Sequence, residues 1–216
     1  MDLEKCHYVV VEGRSAPARR ASRASSAMHL DAEMMLEQPE DNPFLSRFYD
    51  DMPRFALPTQ LTFLFQRADQ LRGMSQLDLF RRPDGGRLPA RQEIRCSPAS
   101  TSRATSTALY EKVYGHLKPQ TPTPDLVIYL QAPVDTLVHR VRQRGVDYEQ
   151  SISDEYLARL ADAYSRFFYQ YDEAPCLIIN SERLNFVDVP AHLDLLLARV
   201  ASMWSRREFF NLGQSA

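Results

Sequence analysis

Apolar residues fall along this chain in two distinct periods. Three short runs are apolar at almost every position: HYVVV at 7–11, DLVIYL at 125–130 and CLIIN at 176–180. Such β-branched and aromatic runs predict strands buried on both faces. Elsewhere apolar residues recur every third or fourth position. That spacing predicts helices over 42–51, 58–71, 108–117, 134–144, 153–171 and 189–204. Asp41-Asn42-Pro43 is a helix-start signal, and Ser153 with Glu155 close behind opens another helix. Residues 28–38 read as the end of a helix followed by a further strand.

Buried strands alternating with helices predict an α/β fold, a parallel sheet of about five strands covered on both faces. In such sheets chemistry gathers at the carboxyl ends of the strands. The places to inspect are those just after Val11, Leu36, Leu130 and Asn180.

Two segments follow neither period. Residues 14–27 (RSAPARRASRASSA) are almost wholly Arg, Ala and Ser, and residues 81–107 are rich in Arg, Pro, Ser and Thr with few large apolar side chains. The rest is ordinary: 44% hydrophobic, 25% charged, net charge −2 over 216 residues, long enough for one domain with a full core. That charge draws the protein to neither nucleic acid nor membrane. No apolar run is long enough to span a bilayer, and the polar, acidic start is unlike a signal peptide. Cys6, Cys96 and Cys176 are scattered without metal-ligand spacing, which suits a reduced, cytoplasmic setting. Seven glycines are few for a nucleotide-binding enzyme.

Four stretches carry a resemblance: LEQPEDNPFLSRFYDDMPRFALPTQLTFLFQR (36–67), PDLVIYLQAP (124–133), HRVRQRGVDYE (139–149) and YLARLADAYSRFFYQYDEAPCLIIN (156–180). In order, spacing and content they resemble the bacterial deoxynucleoside kinases. The resemblance implies a three-layer P-loop kinase fold, ATP and Mg2+ as cofactors, and transfer of the γ-phosphate to the 5′-hydroxyl of a deoxynucleoside, a purine one, in nucleotide salvage. It assigns Glu37 as the base at that hydroxyl, since a carboxylate there accepts the proton as oxygen attacks phosphorus. Tyr49 and Glu149 would hold the sugar 3′-hydroxyl. Gln60 would read the base, its amide donating and accepting in one plane. Arg140, Arg142 and Arg144 would form a lid on the phosphates, for which a guanidinium fork is suited. The family's further arginine, two residues past Arg144, is Val146 here. Homodimerisation through the Tyr- and Phe-rich helices is also implied.

The blander readings are a capping or surface Glu37, a core Tyr49, an exposed Gln60 and a solvated basic face for the arginines. Two other functions compete with a deoxynucleoside kinase. A catalytically dead relative would bind a nucleoside or a partner. A nucleoside monophosphate kinase would need an arginine for the acceptor's phosphate.

The family's first strand ends in G-x-x-x-x-G-K-[ST], whose amides and lysine cradle phosphates. Here only Gly13 survives, and Arg19 and Arg20 stand where lysine and Ser/Thr belong. A frameshift accounts for this. With suitable third bases, a one-base shift turns residues 14–22 into Pro-Ile-Gly-Ala-Gly-Lys-Thr-Ser-Leu and completes the loop at the family position. Residues 84–107 can be shifted in the same way. A basic, low-complexity insert is the competing account. As written, the chain is expected to lack the phosphate loop and a central strand, to fold poorly and to show no kinase activity.

Overall fold

The computed structural model describes residues 9–13, 34–35, 38–80, 90–91, 104–117, 123–186 and 189–212. Within them six parallel strands form one sheet in the order β2-β3-β1-β4-β5-β6. The strands are β1 (Val9–Glu12), β2 (Met34–Met35), β3 (Ala90–Arg91), β4 (Leu126–Gln131), β5 (Cys176–Asn180) and β6 (Arg207–Phe210). The helices are α1 (Leu45–Asp50), α2 (Met52–Phe80), α3 (Ala104–Leu117), α4 (Val134–Arg144), α5 (Asp154–Gln170) and α6 (Pro190–Ala201). This is the expected α/β architecture, a parallel sheet flanked by helices.

Strand alternation sorts the core into two layers. Val127 and Tyr129 of β4, with Cys176 and Ile178 of β5, face α1, α4 and α5. Leu126, Ile128 and Leu130, with Leu177 and Ile179, face α6 through Leu193, Leu196 and Val200. Because both faces are covered, the middle strands read as unbroken apolar runs. Tyr129 stacks on Phe168 of α5 with ring centroids 4.3 Å apart.

The local signals explain most boundaries. Ser153 caps α5 by accepting a hydrogen bond from the Tyr156 amide at 3.2 Å. The stripe Tyr156, Leu157, Leu160, Tyr164 and Phe168 buries one face of that helix. α4 ends on Gly145 in the left-handed region (φ +64°), where a glycine costs least.

Five elements differ from expectation. α2 begins at Met52, six residues before Pro58, because Asp51 caps it by accepting from the Arg54 amide at 3.3 Å. Pro58 therefore lies inside the helix and offers no amide hydrogen to the preceding turn. α3 starts at Ala104, inside the segment 81–107, and the two-residue β3 of that same segment occupies the place where a central strand was expected to be lost. α6 ends at Ala201, short of 204. The chain then turns and adds β6 to the sheet's edge, a strand the sequence did not announce.

One buried carboxylate holds that turn. Glu208 accepts hydrogen bonds from the Trp204 and Ser205 amides at 2.9 and 3.0 Å and pairs with Arg199 at 2.5 Å. The two backbone amides, more than Arg199, hold its carboxyl below the ordinary value. A carboxyl depressed in the folded state stabilises above its unfolded pKa, and that contribution is lost as pH falls through the folded value. The melting temperature of the protein should therefore fall as pH drops below the ordinary glutamate value of about 4.3, and by less in a Glu208→Gln variant. Equal falls in parallel thermal melts would show that Glu208 plays no part.

Candidate functional site

At the carboxyl end of the sheet, β1 closes on Glu12, which is buried and in register with Tyr129, and then on Gly13. Gly13 has φ +132°, and a Cβ there would lie 2.4 Å from the Leu130 carbonyl oxygen. A side chain is excluded twice over, by conformation and by the approach of β4. Arg19, Arg20 and Glu37 lie outside the described residues.

On the α1 side of this edge the loop 38–44 is pinned by Asn42. Its Nδ2 donates to the Thr59 carbonyl at 3.0 Å, and its Oδ1 accepts from the Phe44 amide at 3.1 Å. This ties the entry to α1 against the turn of α2 that carries Gln60. α1 also packs against the short 3-10 turn Asp147–Glu149 that follows α4. There Tyr49 is buried with its ring parallel to that of Tyr148, centroids 6.3 Å apart, and edge-on to Phe48 and Tyr156. Glu149 is buried, and its Oε2 lies 3.4 Å from an Arg144 guanidinium nitrogen, an ion pair without hydrogen-bond geometry. Burial first, then the carboxylates of Glu149 and Glu40, raise the pKa of the Tyr148 hydroxyl, while Arg144 opposes them. Tyr148 is therefore neutral at physiological pH and able to donate a hydrogen bond.

Gln60 projects from α2, which packs against α1. Its amide oxygen is buried and accepts no hydrogen bond among the described residues. An acceptor removed from water without a donor costs roughly 1–3 kcal/mol, which a ligand's N–H would relieve. Two helical turns on, on the same face, Arg67 is also buried. Sequence reasoning missed Arg67 and Tyr148. Their signals were the seven-residue spacing from Gln60 and the position beside Glu149.

The structure thus gathers Tyr49 of α1, Tyr148 and Glu149 of the 147–149 turn and Arg144 at the end of α4 into one cluster, and α1 packs against the helix bearing Gln60. It does not gather the three arginines. Arg142 pairs with Asp154 at 2.9 Å on the surface, both side chains well exposed. Arg140 turns to the loop after β5, its Nη2 donating to the Ser181 carbonyl at 2.7 Å. Among the described residues no group of three acidic, histidine or cysteine side chains could hold a metal ion.

The family profile described as deoxynucleoside kinase matches residues 25–205. The chain belongs to the deoxynucleoside kinase family. Its similarity to individual relatives is low but nearly end to end. It is 27% identical to a deoxyguanosine kinase of Bacillus subtilis over 203 residues, 91% of this chain and 97% of that one. It is 25% identical to a deoxyadenosine kinase of Lactobacillus acidophilus, over 83% of this chain and 87% of the relative. Among solved structures, the deoxyadenosine kinase from M. mycoides with bound dCTP superposes with a TM-score of 0.69 at 21% identity, covering 91% of this chain and all of the other. The same enzyme with products dCMP and dCDP gives 0.71 at 20% identity. The fold of this deoxynucleoside kinase relative is therefore that of the P-loop kinases. No helix among its described residues is long and apolar enough to cross a membrane.

Proposed function

We propose that this deoxynucleoside kinase family member binds a purine deoxynucleoside in the cluster between α1, α2 and the turn 147–149, as a cytoplasmic salvage protein. The carrying observation is the buried amide oxygen of Gln60, which accepts nothing among the described residues. A purine presents ring or exocyclic N–H groups to such an acceptor, and the Gln60 amide hydrogens face acceptors on the same edge. Arg67 is buried on that same face of α2. In this reading Tyr49 and Glu149 hold the sugar 3′-hydroxyl, Glu37 takes the proton of the 5′-hydroxyl, and Arg144 serves the phosphate side. The acceptor is an unphosphorylated nucleoside, since the cluster's carboxylates would repel a monophosphate. Homodimerisation belongs to the same proposal, with Phe65 of α2 and Leu109 of α3 exposed on helices that pack together.

ATP would supply the transferred phosphoryl group and Mg2+ would neutralise its charge. Gly13 stands just past β1 at the carboxyl edge of the sheet, where such a cradle would begin, its missing side chain admitting the Leu130 carbonyl of β4. Arg20, at the position where Ser or Thr would meet the metal, has no oxygen to offer, so the written chain does not fit magnesium there. Binding without turnover is accordingly the second reading, and the arginines at 19 and 20 favour it.

Calorimetric titration with deoxyadenosine, deoxyguanosine, deoxycytidine, thymidine and the corresponding monophosphates tests the proposal. A purine deoxynucleoside should bind tightest, and Gln60→Leu should weaken it by about tenfold or more. No binding by any nucleoside, or a monophosphate binding tighter than its nucleoside, would overturn it.

A further inference from the structure

Arg140 and Arg144 are one turn apart on the same face of α4, yet they grip different parts of the molecule. Arg144 reaches Glu149 in the nucleoside cluster. Arg140 donates through Nη2 to the Ser181 carbonyl at 2.7 Å and the Glu182 carbonyl at 3.4 Å, and through Nη1 to the Ser181 hydroxyl at 3.4 Å. Ser181 is itself almost fully buried. Its amide and hydroxyl both donate to the Gln131 carbonyl, at 2.7 and 2.9 Å. Its carbonyl accepts the Leu184 amide at 3.2 Å as well as the guanidinium. Ser181 is thus the joint between the carboxyl ends of β4 and β5, and Arg140 locks that joint to α4. Beyond it, Leu184 and Phe186 pack into the α6 layer, on the sheet face opposite Tyr49.

We propose that Arg140 is a positioning residue for the loop 181–186, and that of the three α4 arginines Arg144 alone serves the nucleoside site. α4 is then a brace between the two faces of the sheet. One guanidinium fixes the loop after β5, the other fixes Glu149, and Arg142 is spent on a surface pair with Asp154. The fork geometry is specific to arginine, because the two carbonyls and the hydroxyl are spanned by one planar group. Desolvation of this half-buried guanidinium lowers its pKa, though it stays charged.

Hydrogen–deuterium exchange of the full chain, together with deoxyadenosine and deoxyguanosine titration, separates the two roles. Arg140→Ala should speed exchange in the 181–186 loop by about tenfold or more and leave nucleoside affinity within twofold. Arg144→Ala should do the reverse, leaving the loop unchanged and weakening nucleoside binding. Arg140→Lys keeps a cation but no fork, and should give an intermediate loop rate. Strands β4 and β5 serve as the internal check on folding. If Arg140→Ala does not fold, the Arg140→Lys loop rate decides: intermediate supports the role, and a wild-type rate overturns it. Unchanged loop exchange in Arg140→Ala, or loss of nucleoside affinity equal to that of Arg144→Ala, overturns it too. The affinity arm rests on the nucleoside-binding reading. If the unmodified chain binds no nucleoside, that reading fails while the loop arm still decides the role of Arg140.

Discussion

Resequenced across codons 10–30 and 80–108, the gene is expected to show small compensating insertions and deletions. The protein of the corrected frame is then expected to phosphorylate a purine deoxynucleoside on the order of 10^3 times faster than the chain written here. The reason lies in what a phosphate loop does. Successive backbone amides and a lysine surround the transferring phosphates, and transfer depends almost wholly on that positioning and charge. After Gly13 the written chain places Arg, Ser, Ala, Pro, Ala, Arg and Arg. A proline removes one amide, and side chains crowd the rest. The corrected frame restores glycines at the two inner positions and Lys-Thr in place of Arg19-Arg20. Sequencing and a γ-phosphate transfer assay on both proteins check this. A reading frame that stands would sink the frameshift account, and a written chain already as fast as the corrected one would sink the loop-loss account. In the first case, any role of the protein would rest on its nucleoside-binding half.

Gly13→Ala should cost about 3 kcal/mol of folding stability, a large share of the roughly 5–15 kcal/mol a domain has. At φ +132° an L-residue is strained before it touches anything. The added methyl would then sit 2.4 Å from the Leu130 oxygen and 3.1 Å from the Leu130 Cβ. Neither contact can relax through a flexible side chain, because the first is backbone of the central strand β4. Relief requires β1 to move off β4, where four residue pairs from Val9↔Leu126 to Glu12↔Tyr129 lie in register. Gly115 is the matched control. It lies in α3 with nothing within 4 Å of an added Cβ, so alanine there should stabilise by roughly 0.5–1 kcal/mol. Urea unfolding followed by circular dichroism reads both. Equal effects would show that the Gly13 position is not constrained as described.

Much of the candidate site was legible before any coordinates. Tyr49, Gln60 and Glu149 lay in stretches that resembled a family in order, spacing and content, and Tyr49 and Glu149 meet in one cluster. The partner of Glu149 was not legible. Arg140, Arg142 and Arg144 look equivalent as a run, but helix geometry sends Arg142 to the surface, and the position of Ser181 claims Arg140. Arg67 and Tyr148 were signalled only by a seven-residue spacing from Gln60 and a place beside Glu149. A buried arginine or a half-buried tyrosine is identified by what surrounds it, and those neighbours come from elsewhere in the chain.

The sequence by itself determined the buried strands β4 and β5, the helices α4 and α5, the latter with its Ser153 cap, and the α/β class. These follow from periodicity and capping chemistry within a few residues of each position. Only the tertiary structure decided the strand order, the sixth strand and the division of labour among the arginines. The REFF run of β6 is too short to declare itself. It becomes a strand because Glu208 folds the turn after α6 back, and because Arg206 and Arg207 reach the Asp172 and Tyr171 carbonyls at the end of α5. The two arginine contacts join residues more than thirty positions apart. Their free energy exists only once the sheet has brought them together, so no local pattern could have announced them.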